Sequence, residues 1–137
     1  MSRRPLVRDE RGQTSVFVLL LIPALIIMVG LVVDGGQKTR ADQAAQTAAV
    51  AAARAATDAA STDQLGGRAG TANAVRAARS YLSQAGVTGS VQVAAGGRVT
   101  IDTSKTAQTR FLSLIGIGSV SGRGHAESTL VPTGGTP

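Results

Sequence analysis

Apolar and polar positions are unevenly spread along the chain. Residues 16–33, VFVLLLIPALIIMVGLVV, form an 18-residue run without a charge. As a helix this run rises about 27 Å, close to the roughly 30 Å of a bilayer's hydrocarbon core, and Thr14 and Ser15 can lengthen it. A transmembrane helix over 13–34 is therefore expected, with Asp34 marking the membrane boundary. The run then meets Gly35 and Gly36 and turns into an alanine-rich stretch with almost no large side chains. There Ala41, Ala44, Ala48, Ala52, Ala55 and Ala59 recur every three or four residues. Asp42, Gln43, Gln46, Arg54 and Thr57 fall mainly opposite. That period predicts a helical stem over 35–60. Alanine favours the helix and lets another backbone approach closely, so the stripe is expected to pack shallowly on a domain or on partner helices.

After the stem the pattern changes. STDQLGGRAG, residues 61–70, reads as a linker. Thr71 is placed to cap a helix whose face holds Ala74, Val75, Ala78, Tyr81, Leu82 and Ala85, with Gly86 ending it. Val91 and Val93 alternate with polar residues, Gly96–Gly97 follows, and Val99 and Ile101 alternate again, which predicts a hairpin. Ala107, Phe111, Leu114 and Ile115 suggest a short helix. A third strand is expected from Val120 to Val131, with Val120, Gly122, Gly124, Ala126, Ser128 and Leu130 on one face. The sum is an α+β chain. A basic segment (1–12) and a membrane helix (13–34) lead into the stem (35–60) and linker (61–70). A small domain with a short antiparallel sheet (71–131) and a disordered tail (132–137) follow. The long helix followed by a small sheet has a pilin-like outline.

Composition narrows the possibilities. The chain has 137 residues, one Tyr, two Phe and no Trp, so a core beyond the stem is built from Val, Ile, Leu and Ala and is small. Cysteine is absent, which excludes disulfides, thiolate metal sites and cysteine catalysis. The net charge is +6, but Arg3, Arg4, Arg8 and Arg11 precede the apolar run and the other basic residues are scattered. That distribution fits a cytoplasmic N-terminus and an exported C-terminal domain. Nucleic acid is not expected as a partner, because no aromatic stacking platforms accompany the basic residues. A cleaved signal peptide is the competing reading of the run, though VVDGG makes a poor cleavage site. Gly30 has Asp34 four residues on, so no GxxxG dimer face is indicated.

Candidate chemistry is sparse. His125 and Glu127 share a strand face and could serve acid–base work or half a metal site, but a solvated strand face explains them as well. Asp63 and Asp102 have no evident carboxylate partner. GGRAG lacks the lysine of a phosphate loop, and Ser15 and Ser80 have no catalytic company. No catalytic residue, cofactor, metal or small-molecule substrate is expected.

Residues 11–56 resemble the N-terminal segment of the TadE/TadG-like proteins of tight-adherence (Tad, or Flp) pilus assembly. The matching order is Gly12, Phe17, Pro23, Gly30, Val33 and Asp34, then Gln46, Ala48, Ala49 and Ala52 in the stem. The resemblance implies a single-pass bacterial membrane protein, with lipid and other pilus or pseudopilin subunits as partners. It would act as a non-catalytic assembly component or minor pseudopilin-like subunit. Ala41, Ala44, Ala48, Ala52 and Ala55 would be its partner-packing stem. A prepilin-type cut between Gly12 and Gln13 would place Phe17 at the fifth mature position, where processed members carry glutamate; this points to the TadG-like branch, whose anchor is retained. The alternatives are a secreted binding protein with a cleaved signal and a small exported hydrolase using His125 and Glu127.

Overall fold

The computed structural model describes residues 11–66 and 70–130, with the side chains of residues 11–13 left out. The expected basic segment up to residue 10, the middle of the expected linker (67–69) and the expected tail (132–137) lie outside the described residues. Helix α1 spans Arg11–Leu65, 55 residues and about 80 Å. Span and stem are thus one helix. Gly35 and Gly36 each cost a helix about 1 kcal/mol relative to alanine, but the helix continues on both sides and neither glycine is asked to turn. At its far end α1 continues five residues into the expected linker. There the Ser61 and Thr62 hydroxyls donate to the carbonyls of Thr57 (2.9 Å) and Asp58 (3.0 Å), so these polar residues satisfy themselves within the helix.

Helix α2 is Thr71–Gln84. Thr71 is its first helical residue rather than its cap; Gly70 takes the cap position without a side-chain bond. The reason is proximity. A Cβ at Gly70 would lie 2.7 Å from the Ala60 Cα, so only glycine lets the two helices meet there. Gly86 ends the helix with φ +60, and the Lys105 ammonium donates to its carbonyl at 2.6 Å.

Three strands follow as an antiparallel meander: β1 (Thr88–Val93), β2 (Arg98–Gln108) and β3 (Ser119–Thr129), in that spatial order. The β1–β2 turn uses Gly96 and Gly97, both at positive φ, as the hairpin signal predicted. The expected helix near Phe111 shrinks to one 3₁₀ turn, Leu112–Ile115, which Gly116 stops at φ +92. Ala107 instead belongs to β2, where it pairs with Val120.

Both helices lie on one face of the sheet, α1 over β2 and β3, α2 against β1. Val99 and Ile101 on the central strand are the largest fully buried apolar side chains, and the rest of the core is mostly alanine. Ala74, Ala78 and Leu82 form the buried stripe of α2. The other sheet face is polar and solvated, with Asp102 and His125 directly opposite in register.

Candidate functional site

The alanine stem owes its composition to β3. Gly122 and Gly124 face it, and a Cβ on either would fall inside contact distance of the α1 backbone, at Ala41 and Ala45 respectively. Two residues along a strand advance about 6.6 Å and four along a helix about 6 Å, so the steps 122→124 and 41→45 nearly match. Helix backbone and strand backbone therefore touch with neither element contributing bulk. The Thr103 hydroxyl lies 2.8 Å from the Ala45 carbonyl and 3.2 Å from that of Gly124, sharing its proton between helix and strand.

Polar stem residues then satisfy the outer edge of β3. Gln46 accepts from the His125 N–H (3.0 Å) and donates to the His125 carbonyl (2.9 Å), copying the two bonds of a neighbouring strand. Asp42 accepts from the Arg123 N–H at 3.0 Å, and Thr57 meets Ser128 at 2.9 Å. The edge that would otherwise invite another strand is closed by helix side chains. The Lys38 ammonium, 2.7 Å away, and then the Arg123 N–H hold the Asp42 carboxyl below the usual carboxylate range.

Of the five expected partner-packing alanines, the fold buries Ala41, Ala48 and Ala52 in the chain's own core. Ala44 is exposed and Ala55 half-buried. The buried face is completed by Ala45, Ala49, Ala53, Ala56 and Ala60.

Asp34 does more than end the apolar run. It is 1% exposed, and its carboxylate accepts three backbone N–H groups: Arg110 at 2.8 Å, Phe111 at 3.0 Å and Leu112 at 2.6 Å. These amides open the 3₁₀ turn of the β2–β3 connection, so one side chain ties the far loop to the outer end of the span. One turn earlier Gly30 is covered by Phe111; a Cβ there would lie 2.8 Å from the ring's own Cβ. Sequence reasoning missed this clamp. An aspartate closing an apolar run was a visible signal, because a charge in that place needs partners. The partners themselves are main-chain amides, which no residue type announces.

On the solvated sheet face His125 Nδ1 lies 2.8 Å from Asp102 Oδ1, and Nε2 lies 3.9 Å from Glu127 Oε1. The partner of Asp102 is thus an imidazole, not a second carboxylate. Across the three strands the order is Ser90, Asp102, His125, with the carboxylate in the middle. A serine nucleophile needs the imidazole beside it, so this order does not form a hydrolytic triad. His125 and Asp102 are 57% and 58% exposed, open to water rather than enclosed. The Asp102 hydrogen bond, helped by the Asp102 and Glu127 charges, outweighs desolvation and raises the His125 pKa above its ordinary value. A raised folded pKa stabilises the fold below about pH 6.5 and ceases to do so as pH climbs through the folded value. We expect a slightly higher melting temperature at about pH 6 than at about pH 8, and a smaller difference in Asp102→Asn, where only the Glu127 charge still favours the imidazolium. An unchanged pH profile in that variant would remove the ion pair as its cause.

The span itself is uncovered. An 18-residue window of α1 has a mean hydropathy of 3.2 and is 6% buried, and Leu19, Ile27 and Val32 all face outward. Soluble domains rarely expose a continuous apolar surface of this length, and lipid or other apolar helices are what would cover it.

Comparison with known proteins agrees with the N-terminal half of this description. Residues 12–63 match the model of a family described as putative Flp pilus-assembly TadE/G-like. No curated protein and no solved structure shows a significant match. The matched residues take in the uncovered span, Asp34 and the glycine-facing stem, and it is this segment that is similar to the family.

Proposed function

We propose that the protein is a membrane-anchored, non-catalytic component of a Tad/Flp-type pilus or secretion apparatus. It would act as an assembly subunit or a minor pseudopilin-like subunit. The observation that carries this reading is the bare apolar rod, continuous with a folded domain, inside the segment that matches a pilus-assembly family. The span anchors the chain in the bacterial cell membrane, with the N-terminus cytoplasmic and the domain exported, as the arginines before the run favour. The exposed stem face, Gln43, Ala44, Thr47 and Val50, with half-buried Ala51 and Ala55 beside it, is the side left for neighbouring subunits. A secreted form cut beyond Asp34 would lose the carboxylate that holds residues 110–112, which speaks for a retained anchor.

The test is co-purification from native membranes. Ala44→Leu is expected to reduce recovery of partner subunits several-fold while leaving the melting temperature within a few degrees of the parent's. Ala48→Leu, which overfills the core, is expected to lower stability by about 1–3 kcal/mol. Undiminished partner recovery with Ala44→Leu would count against this face as the interface. N-terminal sequencing of the same material separates the two roles. An intact N-terminus means a permanent anchor, and a start at Gln13 means prepilin-type processing and entry into a filament.

A further inference from the structure

The β2–β3 connection carries a cluster of large apolar side chains that the fold leaves bare. Leu114 is 83% exposed and Ile115 73%, with Ile117 and Phe111 beside them. Nothing in the domain's core needs them. A surface loop of a small domain ordinarily keeps such residues singly, not four within seven positions.

Much of the loop's backbone is also paired. Thr109 closes it with its N–H on the Gly118 carbonyl (3.1 Å) and its hydroxyl on that of Ile117. Leu114 N–H bonds the Phe111 carbonyl (3.1 Å), Gly116 that of Ser113 (3.2 Å) and Ile117 that of Leu112 (3.0 Å). The Ser113 hydroxyl takes the Arg110 carbonyl at 2.8 Å, and Asp34 takes the three entering amides. Backbone groups already paired can enter a region poor in water at little penalty.

Its position is fixed along the span. Phe111 sits on Gly30 and the loop amides sit on Asp34, so the loop is held against the last turn of the apolar run. The exposed residues Arg110 on the loop and Arg40 farther along α1 add positive charge on the domain's side of this level. Apolar tip and cationic groups beside it form the order that an acyl-chain boundary and a phosphate layer would match.

We propose that Phe111–Ile117 is a second membrane contact, whose tip seats in the lipid interface of the leaflet on the domain's side. The occupant is phospholipid, because the patch continues the apolar surface of the span at its outer end. The proposal rests on the reading that the span lies in a bilayer. Its consequence is geometric: one helix alone leaves a domain free to tilt and swivel, whereas two contacts fix how the stem leaves the membrane.

The chain has no tryptophan, so a single one is a clean probe. The full chain is reconstituted in phosphatidylcholine vesicles with brominated acyl chains. Three variants are compared: Leu114→Trp in the loop, Leu25→Trp at mid-span and Gln92→Trp on β1. We expect Leu114→Trp emission to be quenched, more by bromine near the headgroup end than near the chain terminus. Leu25→Trp should show the reverse order and Gln92→Trp no quenching. Ile115→Trp repeats the measurement at a second exposed site. An unquenched loop beside a quenched mid-span overturns the proposal and leaves the anchor standing, and blue-shifted but unquenched loop emission assigns the patch to a protein partner instead. Loss of quenching at both loop and mid-span overturns the anchor reading itself.

Discussion

Gly124→Val is expected to unfold the domain. The new side chain must occupy the space of the α1 backbone at Ala45, and a helix backbone cannot swing aside as a flexible side chain can. Overpacking ordinarily costs about 1–3 kcal/mol, and a clash with the main chain of a packed helix lies at or beyond the top of that range. A sheet whose core is Val99, Ile101 and a row of alanines has little stability in reserve. Lost β-sheet signal in circular dichroism and rapid cleavage of β3 by protease are the expected readouts. Gly118→Val is the control. It adds the same side chain four residues before β3's inward glycines begin, in open space, and should leave the fold intact. A folded, protease-resistant Gly124→Val protein would mean that stem and strand do not touch as described.

Asp34→Ala is expected to free the β2–β3 connection without unfolding the rest. Three amides lose their acceptor at once, and they cannot turn to one another because each points at the same carboxylate. Hydrogen exchange of Arg110, Phe111 and Leu112 should accelerate by about 10- to 100-fold, while Ile101 and Ala126 in the strands keep their protection. Asp34→Asn should fall between, since an amide retains one accepting oxygen and brings two donors that find only donors opposite. The melting temperature should drop by on the order of 10 °C in the alanine variant. Exchange unchanged at all three amides would show that the carboxylate is a membrane-boundary residue and no more.

The periodic parts of the fold were legible from the sequence. The 18-residue run, the alanine period, the Gly96–Gly97 hairpin and the alternation through β3 each follow from local rules that act within a few residues. The residues of β3 were sorted correctly into two faces, with Gly122 and Gly124 on the same one, and the family resemblance over the anchor and stem held. Three local expectations gave way to packing. Thr71 lost the cap to Gly70 because the helices meet there. The helix around Phe111 became a single 3₁₀ turn because Asp34 draws its amides away. The stem stripe rotated toward Ala45, Ala49, Ala53 and Ala56, since nearly every position in AAQTAAVAAARAA is alanine and the period alone cannot choose a face.

The site shows the same division more sharply. Asp34 was conspicuous as a charge at the end of an oily run, yet its partners lie 76 to 78 residues away and are main-chain N–H groups, identical in every residue but proline. Gln46 and Asp42 looked like the solvent side of an amphipathic helix; they close a strand edge that exists only once the sheet has formed. Gly30 seemed to lack a small partner, and its partner proved to be an aromatic ring from the far loop. By itself the sequence determined which segments are helix, strand and apolar span, because propensity and periodicity are short-range. Only the tertiary structure decided which alanines are buried, what Asp34 holds and where the bare loop stands. Those outcomes depend on groups distant in the chain meeting at backbone contact, and backbone looks the same at every position.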